Sequence, residues 1–404
     1  MTIHLLKDEG IPLDRQLLST FTWKNLVRIP ISKLDSDAFT KIRTILMNGI
    51  EMESLVFQHQ AARMNRDLQY HLALVRRAEK FQQTLVNWLL PPDMTPLETT
   101  IAYEQVAIEI TAAVALAEPD PYLAQVYRFG LLEDFDHMYR YSALMDRVEG
   151  KDANTIVQSY SDIVPGRPTR VEHRHPHDDL RLGYDASEAD PRTKLHQLII
   201  MSAEQQTLNY YNNIGPTFSD PAARLLYAEI SLIEEQHVTQ YESIGDTTLG
   251  WMDKWLLHEA NEVYCYWSCL EAETDPNVRK VWELMLDLEL GHLHFVRELY
   301  KTIERRDPAE ILPETLPEPL RFVSHREFVR DVLRTEVELS ARGTEFVHRT
   351  EETEVTREYR HQLNSEGSPS ELIAAGYVWR PGTELITDLH ERPTLEHAIP
   401  TGSE

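Results

Sequence analysis

Three times along this chain a carboxylate is followed 30 residues later by a second carboxylate, and three residues after that by a histidine. The sets are Glu104, Asp134 and His137, then Glu204, Glu234 and His237, then Glu259, Glu289 and His292. An acid three residues before a His is weak evidence alone. Six such pairs occur, the other three being Glu172/His175, Glu345/His348 and Glu358/His361. Composition alone predicts about half of one match to the longer pattern. A further feature decides the matter. Each set has Asp-Pro at 16 and 17 residues after its leading Glu: Asp120-Pro121, Asp220-Pro221 and Asp275-Pro276. The chain holds five Asp-Pro dipeptides, and three at one offset mark an internal repeat.

Helix geometry explains the interval. Asp then Pro is N-cap then first-turn chemistry, so a second helix starts there. The leading Glu lies before this apex about as far as the acid/His pair lies after it. In an antiparallel helical hairpin all three side chains then stand at one level. Residues i and i+3 share a helix face about 4.5 Å apart along the axis, so both reach one ion. Each hairpin offers two carboxylates and one imidazole at a common height.

The spacing predicts an all-α chain. Hairpins are expected over 96–148, 192–245 and 250–305, within a core of 93–305. An N-terminal region, 1–92, carries one very long helix or two over 36–90. The polar stretch 149–191 reads as a crossing loop too long for a plain connector. A Pro-rich linker from Asp307 leads to a helix over about 324–350 and an acidic tail, within 306–404. Acids number 66 against 40 bases, a net charge of -26, which repels nucleic acid and anionic membranes. Two cysteines exclude a disulfide framework or a zinc ribbon. No run of about 18 apolar residues suggests a membrane helix, and MTIHLLKDEG has no signal pattern, so the expectation is a cytoplasmic protein. Gly-x-Gly-x-x-Gly and Gly-Lys-Thr/Ser loops are absent.

Glu on one helix and Glu-X-X-His on its partner, given twice, resembles the ferritin-like, rubrerythrin-like di-metal carboxylate proteins. The resemblance covers about 96–305 and does not identify one member. It implies a ferritin-like bundle, an iron pair with manganese as the alternative, and an oxidoreductase reacting with dioxygen or peroxide. No four-cysteine electron-transfer domain is present, so a separate electron donor is implied. Two other readings stay open: iron binding with ferroxidase activity, and a metal-free structural relic of the fold.

Two hairpins of this fold are joined by a long crossover, as 149–191 joins the first and second here. Gln follows the leading Glu in both (Gln105, Gln205), and a Tyr lies four residues after the His in both (Tyr141, Tyr241). The first-ranked metal site is therefore Glu104, Asp134, His137, Glu204, Glu234 and His237. Asp134 stands where the family has Glu; either it binds terminally or Glu133 takes its place. The third set, Glu259, Glu289 and His292, faces the second hairpin or pairs with its own copy. An odd number of hairpins and the cluster Trp251, Trp255, Trp267 and Trp282 predict a homodimer. Tyr141 and Tyr241 read as groups behind the ligands or as core. His173, His175 and His177 read as a solvated loop, Cys265 and Cys269 as core thiols. Glu345/His348 and Glu358/His361 read as surface pairs.

Overall fold

The computed structural model describes residues 2–383. Among these, eight long helices pair as four consecutive antiparallel hairpins. They are α1 (Ala38–Met64) with α2 (Gln69–Asn87), α3 (Pro96–Ala117) with α4 (Pro121–Glu149), α5 (Pro191–Ile214) with α6 (Pro221–Ser243), and α7 (Trp251–Ala272) with α8 (Pro276–Ile303). The Asp-Pro dipeptides act as the spacing predicts. Asp120, Asp220 and Asp275 cap α4, α6 and α8, each accepting two backbone N–H bonds, with proline at the first helical position. Each such cap contributes about 1 kcal/mol.

The first helix of each hairpin lies inside. α1 packs against α3, α5 and α7, α3 against α5, and α5 against α7. A helix surrounded this way must be apolar all round. α3 is the case in point, with a mean hydropathy of 1.3 over a window that is 89% buried. It is the one described helix long and apolar enough to cross a membrane, and here it forms the core. Close approach of α1 and α5 depends on Gly49, where a Cβ would stand 2.6 Å from the Gln206 amide nitrogen. That amide donates to the Ile45 carbonyl at 2.9 Å and accepts from Asn48 at 2.9 Å, tying the helices together.

Several expectations are corrected. The 36–90 stretch forms two helices, the second of the two alternatives, paired as a hairpin that packs on α3, α5 and α7. The third hairpin is not left over, because α7 packs on α1. Trp255, Trp267 and Trp282 are buried within the chain rather than on an outer face. The helix expected over 324–350 is shorter. α9 (Arg326–Glu336) gives way to strands β1 (Leu339–Arg342) and β2 (Glu345–His348), paired antiparallel with Leu339 opposite His348. Gly343, at φ +56°, supplies the left-handed residue of their two-residue connection. Two short helices, α10 (Glu354–Leu363) and α11 (Pro369–Ala374), follow, and α11 packs on α4 and α6.

Candidate metal centre

The six first-ranked residues meet. Glu104 on α3, Asp134 and His137 on α4, Glu204 on α5, and Glu234 and His237 on α6 are each at most 1% exposed. Ligand atoms of Asp134, Glu204, Glu234 and His237 all lie within 4.8 Å of one another, as do those of Glu104, His137 and Glu234. Glu234 belongs to both groups and joins them. The common level predicted from the hairpin apex is the level observed.

Each imidazole turns Nδ1 to the cluster and Nε2 outward to a further carboxylate. His237 Nε2 lies 2.8 Å from Glu133, and His137 Nε2 lies 3.0 Å from Glu172. Glu133 also receives Arg174 and, at 3.1 Å, Arg167. Although burial works against ionisation, Arg174, His237 and Arg167 hold the Glu133 carboxyl well below its ordinary range. An ionised carboxylate only accepts, so His237 Nε2 carries the proton. Its Nδ1 makes no hydrogen bond, yet lies 3.3 Å from Asp134 and 3.5 Å from both Glu204 and Glu234. An outer carboxylate accepting the second ring N–H is how metal-ligating histidines are fixed. Asp134 rather than Glu133 faces the cluster, and Glu133 lies behind it between His237 and the two arginines.

Among the described residues the inner acids have no cationic partners other than the two rings. Both oxygens of Asp134 and of Glu204, and one each of Glu104 and Glu234, accept no hydrogen bond. Burial pushes the Glu104 and Asp134 carboxyls well above their ordinary value, and Glu204 up to about 7. Glu234 is the exception: burial is outweighed by His137 and His237, which hold it at about 2. Burial lowers both imidazoles, but the carboxylates around them prevail and raise both well above the usual value. Uncompensated buried carboxylates are costly, and a cation among them removes the cost.

The third predicted set lies elsewhere. Glu259 and Glu262 on α7 and Glu289 and His292 on α8 face α1 and α2, where Glu51 and Glu79 project toward them. Neither pairing expected for this set, with the second hairpin or with a second copy, is the one observed.

Sequence reasoning missed several participants. Glu172, Arg167 and Arg174 come from the crossover, which docks on α4 where Gly166 sits. A Cβ there would stand 2.4 Å from the Leu132 carbonyl oxygen. The signal was the loop's length; its Glu172 serves His137 rather than His175. Tyr211 also donates to Glu104 and lies two helical turns after Glu204, hence on the same face. The hydroxyls of Tyr141 and Tyr241 are buried without hydrogen-bond partners. His173 is buried 3.8 Å from Glu229, against the solvated reading, whereas His177 is exposed. Cys265 and Cys269 are free and buried. Glu345, His348, Glu358 and His361 lie exposed on β2 and α10, and Glu345 pairs with Arg342 rather than with His348.

An open cavity of about 580 Å³ between α5 and α6 has Tyr211, Tyr227, Ser231 and Glu235 in its wall. Tyr211 is the link between this opening and Glu104. Comparison of the chain with protein-family models, curated proteins and solved structures returns no match.

Proposed function

We propose that the bundle of α3, α4, α5 and α6 is a ferritin-like metal centre, and that the chain is a di-iron or iron/manganese oxidoreductase acting on dioxygen or peroxide. The observation that carries this reading is the free Nδ1 of His237, fully buried and directed at three carboxylates while its Nε2–H is held by Glu133. In a site closed to water, either a cation or a proton on Nδ1 must lie between this ring nitrogen and the three carboxylates.

The donor set fits. Four carboxylates and two imidazoles suit hard Fe(II) or Mn(II). Glu104, His137 and Glu234 would hold one ion; Asp134, Glu204, Glu234 and His237 would hold the other. When bound, such ions supply the electrons and the open positions that a small oxidant needs. The protein's own part is positional. Glu133 and Glu172 fix the ring faces, Arg174 and Arg167 keep Glu133 ionised, and burial excludes bulk water. Tyr211 holds Glu104 through its hydroxyl and stands where a small molecule would enter from the cavity. Electrons would come from a separate donor.

The test is anaerobic loading with Fe(II), followed by mixing with dioxygen or hydrogen peroxide. Oxidant consumption coupled to iron oxidation is expected. It should vanish when Glu234→Ala is combined with His237→Ala. Glu345→Ala with His348→Ala, the same motif on the surface, should keep it. Iron oxidation at the rate of free Fe(II) in buffer would reject the enzyme reading.

A further inference from the structure

The chain contains a fourth copy of the hairpin pattern. On α1 and α2, Glu51 stands as the leading acid, Glu79 as the second, and Gln82 three residues later replaces histidine. This hairpin faces α7 and α8, so a second buried cluster forms, separate from the first. Ligand atoms of Glu79, Glu259 and His292 lie within 4.8 Å of one another, as do those of Glu259, Glu262 and Glu289. Glu51, Glu79, Glu259, Glu262, Glu289 and His292 are each at most 1% exposed.

Two observations point to a missing ligand. First, one oxygen of Glu51, one of Glu259 and both of Glu262 accept no hydrogen bond. No lysine or arginine forms an ion pair with these five acids among the described residues; His292 lies 3.2 Å from Glu289 and 4.0 Å from Glu79, and the neutral donors Gln58, Tyr266, Trp255 and Gln82 reach Glu79, Glu51, Glu259 and Glu289. Second, the tautomer of His292 is fixed from outside the cluster. The Gln16 side-chain nitrogen donates to the carbonyls of Ile11 at 2.8 Å and Leu288 at 2.9 Å. Its oxygen must therefore be the atom 2.8 Å from His292 Nε2. An amide oxygen only accepts, so Nε2 carries the proton, and a neutral ring turns the Nδ1 lone pair toward Glu289 and Glu79. Lone pair against carboxylate at this distance is repulsive unless a cation, or a proton, lies between.

We propose that the bundle of α1, α2, α7 and α8 is a second metal centre, in which Glu79, Glu259 and His292 bind one hard divalent ion with Glu262 and Glu289 beside it. The donor set here is five carboxylates to one imidazole, against four to two in the first bundle. More oxygen and less nitrogen favours Mn(II) over the later divalent metals. Gln82 donates its amide to Glu289 where a second imidazole would stand. The second bundle thus lacks the symmetric pair of nitrogen ligands and is read as a one-ion site.

The experiment uses the full chain, stripped with a chelator and titrated with Mn(II). Bound ion is read by loss of the free Mn(II) EPR signal and by elemental analysis after gel filtration. The decisive sample carries His137→Gln and His237→Gln, which disable the first centre and leave the second untouched. It should still bind about one Mn(II) per chain and melt at a higher temperature with the ion than without. Adding Glu259→Gln and His292→Gln should remove that binding. The loss should exceed the ~10–100-fold that follows from removing an outer partner of a ligand. Glutamine is isosteric and relieves charge, and circular dichroism checks that the fold is kept. No Mn(II) on the folded His137→Gln, His237→Gln protein overturns the proposal and leaves protons as the occupants. Mn(II) binding unaffected by Glu259→Gln and His292→Gln overturns it equally. If instead the first centre is misread, the wild type and the His137→Gln, His237→Gln protein bind equal Mn(II), so the two failures differ.

Discussion

Gly130 on α4 faces Tyr241 on α6, beside the first cluster. A Cβ at residue 130 would stand 2.2 Å from the Tyr241 hydroxyl oxygen but 3.4 Å from the ring carbon that bears it. The Tyr241 ring is fully buried, stacked with Tyr127 at 5.9 Å and set 6.3 Å from His237, so it has nowhere to retreat. Gly130→Ala therefore carries two opposed effects. Overpacking costs about 1–3 kcal/mol. Replacing glycine within a helix gains about 1 kcal/mol. The net in the native background is a loss of up to about 2 kcal/mol. Tyr241→Phe removes the clash, and because the hydroxyl has no hydrogen-bond partner the change alone is near neutral. In the Tyr241→Phe background, Gly130→Ala should then stabilise by about 1 kcal/mol. The coupling between the two changes, about 1–3 kcal/mol, comes from a double-mutant cycle on metal-free protein, using urea midpoints followed by circular dichroism. If Gly130→Ala stabilises equally in both backgrounds, α4 and α6 are not packed as described at the wall of the centre.

Other outcomes follow from the same geometry. Glu172→Gln keeps the shape of the group behind His137 but removes its charge. It should weaken metal binding at the first centre by about 10–100-fold, measured by chelator competition, with the fold intact. Lys41 is buried and donates to the Lys33 carbonyl at 2.9 Å. Burial lowers its pKa from 10.5 to about 8. The unfolded chain therefore holds that proton more tightly, and the native protein gains stability as pH rises from about 8 to 10.5. Lys41→Met should stabilise at pH 7 by about 2 kcal/mol, from about 3 for the relieved ammonium less about 1 for the stranded carbonyl. That gain should fade above pH 8 in thermal melts, and a gain independent of pH would contradict the burial argument.

The sequence carried much of this because a helix cap is a local event. Asp120, Asp220 and Asp275 declare their hairpin apices without help from the rest of the fold, and the apex sets the level of each ligand. The fourth hairpin was illegible for the same reason. Its apex is Asn65 followed by a 3-10 turn over Arg66–Leu68, without proline, and its acids lie 28 residues apart rather than 30. With Gln82 in place of histidine, α2 lacks the acid-X-X-His spacing of the other three hairpins. Long-range partners left no periodic trace: Glu172 and Arg174 reach α4 and α6 through an irregular loop, and Gln16 reaches His292 from the N-terminal segment. The 339–348 hairpin is hidden in the sequence because its strands are four residues each, too short for alternation to show.

The central claim is that Glu104, Asp134, His137, Glu204, Glu234 and His237 enclose metal. Anomalous diffraction at the iron edge, from crystals of protein loaded anaerobically with Fe(II), tests it most directly. Two anomalous peaks about 3.5–4 Å apart are expected, one beside His137 and Glu104, the other beside His237 and Glu204, with Glu234 between them. A difference map with no anomalous density among these six side chains, from crystals shown to contain iron, would contradict the account.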